Sequence, residues 1–322
     1  MNLIPEAGTD TSKNNKVDSS LRPRISILIP AYNYPEGVSR ILTGLGEDLH
    51  RTAEIIIGDD SAGRGVATVV TSFQGQFGQL HYHRNDPPLG ACANWNDLLA
   101  RATGDYCLLL HHDEFPVTPS FLDRLSAELI AQGLPEVLIL SCIQVTRTDG
   151  RNILTAPQWA RSLVSRRIPS YLFSRNIIGP SAVIVAKRPL YPAYDPNLTW
   201  MIDVDAYVRL FQSTAAIELT DIIQIASPLA RKDSITSSLR SRICEISTRE
   251  LCYLSKKYPN NNILTYLANR TCPAKFVRFL ERVCWVVFRF TTRICYGLMP
   301  SPIAMSQMHS HLQSGLDKAQ RE

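Results

Sequence analysis

Between residues 25 and 145 the chain alternates short apolar runs with stretches of helical length, and most of the runs end in polar or acidic residues. Residues 25–29 are Ile, Ser, Ile, Leu and Ile, stopping at Pro30-Ala31-Tyr32-Asn33. Residues 54–57 run into Gly58-Asp59-Asp60, residues 80–83 form a third run, and residues 106–110 end in His111-His112-Asp113-Glu114. The segments 37–49, 91–102 and 119–132 read as helices, and 137–145 as a further strand. Strands separated by helices of this length need crossover connections, so a parallel sheet is expected. Beyond Asp149-Gly150 the pattern loosens, with a strand expected near 181–186, a helix over 203–211 and a strand over 217–225. From Ser241 onward only helical patterns remain. The expectation is an α/β fold, a Rossmann-like and mostly parallel sheet flanked by helices, with a helical C-terminal extension. Residues 1–24 are polar and aperiodic and read as a disordered tail; 25–240 form the main domain and 241–322 the extension.

Charge separates these parts. The net charge of +5 arises from 34 basic and 29 acidic residues, but 12 of the basic and only 5 of the acidic residues fall in 241–322. An anionic partner is therefore expected at the C-terminal quarter. The eight cysteines show no C-x-x-C pair and no zinc-ligand spacing, which reads as thiols of a reducing compartment. No run of 18 apolar residues and no secretory leader are visible, so a cytoplasmic protein is expected.

In an open parallel sheet, ligands bind beyond the C-terminal strand ends. Asn33, Asp59, Asp60, His111, His112, Asp113 and Glu114 all fall at such ends. Crowded carboxylates repel one another unless a cation neutralises them, and a hard divalent ion that keeps a diphosphate as ligand suits the group.

These residues also carry a resemblance. Ile25 to Asn33 resembles the first strand of the family 2 inverting glycosyltransferases, which have the GT-A fold. Glu54 to Ser61 resembles their second strand with its paired aspartates. Asn85, Gly90, Asn94 and Asn96 are similar to the family's Asn…Gly…Asn-x-Asn stretch, and Leu110 to Glu114 stands where the family has D-x-D. Asp203 to Leu210 resembles the helix bearing the catalytic base, and Arg231 to Thr236 the loop that closes over the donor diphosphate.

The resemblance implies metal-dependent, inverting transfer of one sugar from a nucleotide-diphosphate sugar, with a UDP-sugar the commonest donor in the family. Asp203, or its rival Asp205, would be the catalytic base. Pro30, Tyr32, Asn33, Asp59, Asp60, Asn85, Gly90, Asn94, His111, His112, Arg231 and Lys232 would bind the donor. Asp113, with His111 as a further candidate ligand, would hold Mn²⁺ or Mg²⁺. The chain departs from the pattern at two positions: His111 replaces the first D-x-D aspartate, and Lys232 stands where many relatives carry His. The absence of Q-x-x-R-W, the mark of processive members, points to one sugar per encounter. The implied acceptor is a surface polysaccharide or a lipid-linked oligosaccharide. The rival readings are a metal-dependent nucleotidyltransferase, which would want a basic loop after the first strand, and a non-catalytic membrane-recruited relative. No nucleic-acid module is visible.

In residues 276–299, Arg278, Arg282, Arg289 and Arg293 are spaced 4, 7 and 4. On a helix they share an arc of roughly 60° against a broad apolar face. That pattern suits an interfacial helix on an anionic membrane surface, with the protein peripheral on its inner face.

Overall fold

The structure, a computed structural model, describes residues 22–46, 52–145, 151–153, 156–228 and 241–269. The chain divides into two compact units, Met1–Thr265 and Tyr266–Glu322, and the strands and the sites described below all belong to the first.

Strand β1 (Ile25–Ala31) leads into helix α1 (Pro35–Leu45), β2 (Ala53–Asp59), α2 (Gly65–Ser72) and β3 (Gln79–Arg84). Helix α3 (Ala91–Arg101), β4 (Tyr106–Leu109), β5 (Phe115–Pro116), α4 (Phe121–Ala131), β6 (Val137–Val145) and β7 (Arg151–Ile153) follow. Next come α5 (Gln158–Arg167), β8 (Ile184–Lys187), α6 (Ile202–Ser213), β9 (Ile217–Pro228), α7 (Ile243–Lys257) and α8 (Asn262–Ala268). The strands form one sheet in the order β3-β2-β1-β4-β8-β6-β9-β5, with β7 on β6.

From β3 to β4 every pairing is parallel. Every residue of β1, β2 and β4 is buried, which is why those strands read as continuous apolar runs rather than alternating ones. Past β4 the sheet becomes mixed, because β8 runs antiparallel to both β4 and β6. The expectation of a mostly parallel sheet therefore holds for the half that carries the paired aspartates and the His111–Glu114 turn. Within β2 the buried Glu54 accepts hydrogen bonds from Ser26, Thr103 and Gly104. Burial alone would push its carboxyl up, but those donors hold it below the ordinary value.

Most expected elements form within a few residues of their expected limits; the short strands β5 and β7 are additions, and β8, α2 and α5 differ in instructive ways. The strand placed at 181–186 begins as a 3₁₀ turn over Ser181–Val183, and only then becomes β8. Helices α2 and α5 were not evident in the sequence. Gly65 and the β-branched Val66, Thr68, Val69 and Val70 are poor helix formers, yet tertiary packing of Val66 and Val70 fixes α2. α5 is polar and is pinned by the buried Arg161, which donates to the Leu140 carbonyl at 2.9 Å and to Asp221 at 2.6 Å. Of the described cysteines, Cys107 and Cys142 are buried whereas Cys244 is exposed.

Candidate active site

The end of β1 and the end of β2 are laced together. Asn33 has φ +48°; its N–H donates to Ser61 Oγ at 2.7 Å and its Oδ1 accepts from Ala62 N–H at 3.2 Å. Beside it Tyr32 stands 59% exposed, an aromatic ring free on the rim. Pro30 is buried within β1, and its carbonyl lies 3.3 Å from His112 Nδ1, which makes that nitrogen the protonated one.

The adjacent aspartates divide their work. Asp59 is fully buried and accepts from Ser61 N–H at 2.9 Å and from Tyr82 O–H at 2.8 Å. It closes the turn after β2. Asp60 reaches the other way. Its Oδ1 accepts from Asn85 Nδ2 at 2.8 Å and Leu89 N–H at 3.1 Å, and its Oδ2 from Gly90 N–H at 2.9 Å. One carboxylate thus shapes the 85–90 loop, and Oδ2 retains capacity for a further donor. Asn94 is buried, donating to the Gly58 carbonyl at 2.9 Å and accepting from Asn85 at 3.2 Å. Any Cβ at residue 58 would sit 2.3 Å from Asn94 Oδ1, so only glycine fits there. Asn94 therefore works from beneath, holding the strand end and the loop together.

Across the sheet, the turn after β4 presents His111, His112 and Asp113, all partly exposed, and the buried Glu114. Glu114 Oε2 accepts from the His111 N–H at 3.3 Å and lies 3.5 Å from His111 Nδ1. The His111 ring packs on Trp95 with centroids 4.5 Å apart. Burial disfavours the imidazolium, but the negative charges of Glu114, Asp203 and Asp113 prevail and lift the His111 pKa to about 9. In its protonated form this side chain donates from both nitrogens. Its Nε2 is buried and has no hydrogen-bond partner among the described residues.

Asp203 comes to the same place from α6. It is partly exposed at the helix's first turn, and its Oδ1 accepts from Ser181 Oγ at 2.7 Å. Asp205, fully buried, is committed elsewhere: it pairs with Arg209 at 2.8 Å and accepts from Tyr258 O–H at 2.7 Å. Tyr194 is 2% exposed, in the core against Trp95, and so offers no ring for sugar stacking. Arg231 and Lys232 lie outside the described residues, as do Arg278, Arg282, Arg289 and Arg293.

Among the described residues no group of three or more His, Cys, Asp or Glu side chains could hold a metal ion unaided. One carboxylate, Asp113, fits an ion held mainly by a diphosphate, the usual arrangement for Mg²⁺ at phosphate sites. The orphaned His111 Nε2 is a second group that an anionic ligand would satisfy.

A parallel half-sheet with acidic strand ends, continued by a mixed half, is the GT-A architecture. Residues 26–166 match the model of glycosyl transferase family 2, and the fold is that of GT-A glycosyltransferases. The crystal structure of Staphylococcus aureus TarS 1–349 in complex with UDP-GlcNAc superposes with a TM-score of 0.56 at 14% identity, covering 72% of this chain and 66% of that one. A second structure of TarS 1–349 gives 0.51 at 15% identity, over 71% and 65%. Among sequences, the uncharacterized proteins Rv1520 of Mycobacterium tuberculosis and Mb1547 of Mycobacterium bovis are each 25% identical over 187 residues, 56% of this chain. The chain matches about half the length of these curated relatives, 53%. No described helix is long and apolar enough to cross a membrane.

Proposed function

We propose that this protein transfers a single sugar from a UDP-sugar to an acceptor hydroxyl with inversion of the anomeric configuration. The observation that carries this reading is the meeting of Asp203 with the His111–Asp113 turn, two elements 90 residues apart in sequence, at the end of β4. Asp203 takes the proton from the acceptor hydroxyl as its oxygen attacks the anomeric carbon. The bond to the diphosphate breaks on the opposite face, and the diphosphate leaves with the electron pair, which inverts the centre. His111, in its protonated form, donates to a phosphate oxygen. Asp113 would hold Mn²⁺ or Mg²⁺, which as a Lewis acid supplies charge neutralisation to the departing diphosphate. Tyr32 stacks on the base and Asp60 Oδ2 accepts its ring N–H, while Asn33, Asn85, Gly90 and Asn94 keep that pocket in shape. Arg231 and Lys232 add positive charge at the diphosphate.

The choice of UDP is supported by TarS, whose structure contains UDP-GlcNAc. The acceptor is a surface polysaccharide or lipid-linked oligosaccharide, with the Arg278, Arg282, Arg289 and Arg293 row resting on an anionic leaflet. Replacing all four arginines by glutamine should abolish co-sedimentation with phosphatidylglycerol vesicles; unchanged co-sedimentation refutes the membrane assignment.

The test of the reaction is release of nucleoside diphosphate from a panel of UDP-, dTDP- and GDP-sugars with Mn²⁺ or Mg²⁺. Release from one donor, lost in Asp203→Asn and in Asp113→Ala, supports the reading. No release from any donor, together with no nucleotide binding, refutes it.

A further inference from the structure

Helix α7 begins well beyond residues 26–166, and one of its carboxylates ends on the helix that carries Asp203. Glu250 is 1% exposed. Its Oε1 accepts from the N–H of Thr199 at 2.7 Å and of Trp200 at 3.2 Å. Its Oε2 accepts from Trp200 at 3.1 Å and from the N–H of Met201 at 2.8 Å. Met201 is the N-cap of α6, whose own side chain makes no capping bond, and Asp203 is the second helical residue. Three consecutive amides leading into the helix are thus fixed by one distant carboxylate. Charge-assisted bonds of this kind are about twice as strong as neutral ones, and negative charge at a helix N-terminus is favourable.

The same face of α7 holds α6 and its lead-in at further points. Residues 250, 253 and 257 are spaced three and four apart and so project from one side of the helix. Tyr253 and Lys257 donate to Asp195 at 2.9 and 2.6 Å, and Tyr258, just after the helix, donates to Asp205. Asp203 itself has a single described side-chain donor, Ser181, so its direction depends on where the first turn of α6 is placed. A shift of an ångström in a catalytic group can cost two orders of magnitude in rate.

We infer that Glu250 is a positioning residue for the transfer reaction, fixing through the 199–201 backbone the turn from which Asp203 acts. The inference rests on the proposed role of Asp203. The test is steady-state hydrolysis of whichever sugar nucleotide of the panel the full-length protein cleaves, alongside thermal melting and UDP binding by calorimetry. Glu250→Ala is expected to lower kcat about 100-fold while the Kd for UDP stays within about twofold. Glu250→Gln keeps the length and one acceptor oxygen, and should restore about tenfold of that loss. Tyr253→Phe removes an anchor of the same helix without touching 199–201, and should lower the melting temperature with kcat unchanged.

A folded Glu250→Ala with wild-type kcat overturns the inference, as does a parallel loss of UDP binding and kcat. Failure of both Glu250 variants to fold also overturns it, because the residue is then simply structural. Asp203→Asn separates the two levels. If Asp203→Asn keeps turnover, the base assignment falls and this inference with it. If Asp203→Asn is inactive but Glu250→Ala is not, only the present inference falls.

Discussion

Asp203 and Asp205 lie two residues apart on α6 and face different surroundings: Ser181 Oγ and the cleft for Asp203, the Arg209–Tyr258 cluster for Asp205. Side chains two apart on a helix point about 200° away from each other, so one helix turn supplies both the proposed base and a structural carboxylate. Asp203→Asn should therefore abolish sugar transfer and leave the unfolding midpoint in place. Asp205→Asn should do the reverse, lowering stability by about 2–3 kcal/mol because Arg209 loses its buried counter-charge and one of the two acceptor oxygens becomes an NH2 donor. Urea unfolding and turnover measured on the two variants decide this, and an inactive but fully stable Asp205→Asn would exchange the assignments.

The paired aspartates after β2 should separate in the same way, this time in nucleotide affinity. Asp60 holds Asn85, Leu89 and Gly90, so Asp60→Ala should weaken UDP binding about 100-fold by loosening the loop as well as removing an acceptor. Tyr32→Ala should cost about tenfold, the worth of one stacked base. Asp59→Asn should leave the UDP affinity alone and lower stability by about 1–2 kcal/mol, through Ser61 and Tyr82. Calorimetric titration with UDP reads all three; equal losses from the two aspartate variants would contradict the division.

Removal of the metal gives a sharper comparison. If Asp113 and the diphosphate share one ion, Asp113→Ala and excess EDTA each abolish turnover by the same route, and EDTA added to the variant has no further effect. An additional loss with EDTA in Asp113→Ala would place an ion elsewhere. Full activity of the wild type in EDTA would show that the cationic His111 and the other basic groups suffice.

How legible all this was in the sequence depends on the range of the interactions. The strand ends at Asn33, Asp60 and Asp113 were readable because the buried strands are continuous apolar runs, and a polar residue that ends one has to lie at the sheet edge. The separation of Asp59 from Asp60 was not readable: it depends on Tyr82 from β3 and on loop amides at 89–90, all brought in by tertiary structure. Helix phase alone likewise did not separate Asp203, which the resemblance favoured, from Asp205, which Arg209 and Tyr258 claim in the fold. The antiparallel direction of β8 and the helix α2 were missed because neighbouring elements, not local propensity, decide them. Glu250 gave no signal at all, since an acid on an amphipathic helix ordinarily faces water, and only the fold turns this one inward.

The contact between α7 and the loop before α6 should also set the acid limb of stability. Asp195 is 9% exposed, and its carboxylate accepts from Lys257 Nζ at 2.6 Å, Tyr253 O–H at 2.9 Å and Asn197 N–H at 2.9 Å. Burial alone would raise its pKa, but these donors outweigh burial and hold the carboxyl well below the ordinary aspartate value. Lys257 moves the other way: burial disfavours its charge, yet Asp195 and Asp205 lift it above the ordinary lysine value. A carboxyl with a depressed folded pKa contributes its full stability above the unfolded value of about 3.9 and loses it as the pH falls towards the folded one. The raised lysine contributes fully below about 10.4 and loses its share only at higher pH, so both contributions stand intact between about pH 6 and 9. Urea unfolding of the wild type should therefore show stability falling below about pH 5. Asp195→Asn, which cannot ionise, should be less stable at pH 7 by about 1–2 kcal/mol, and its deficit should shrink towards pH 3 as the wild type's unfolded chain takes up a proton that the folded Asp195 still refuses. Parallel stability curves for the two proteins from pH 3 to 8 would mean that the Asp195–Lys257 pair contributes nothing to holding α7 in place.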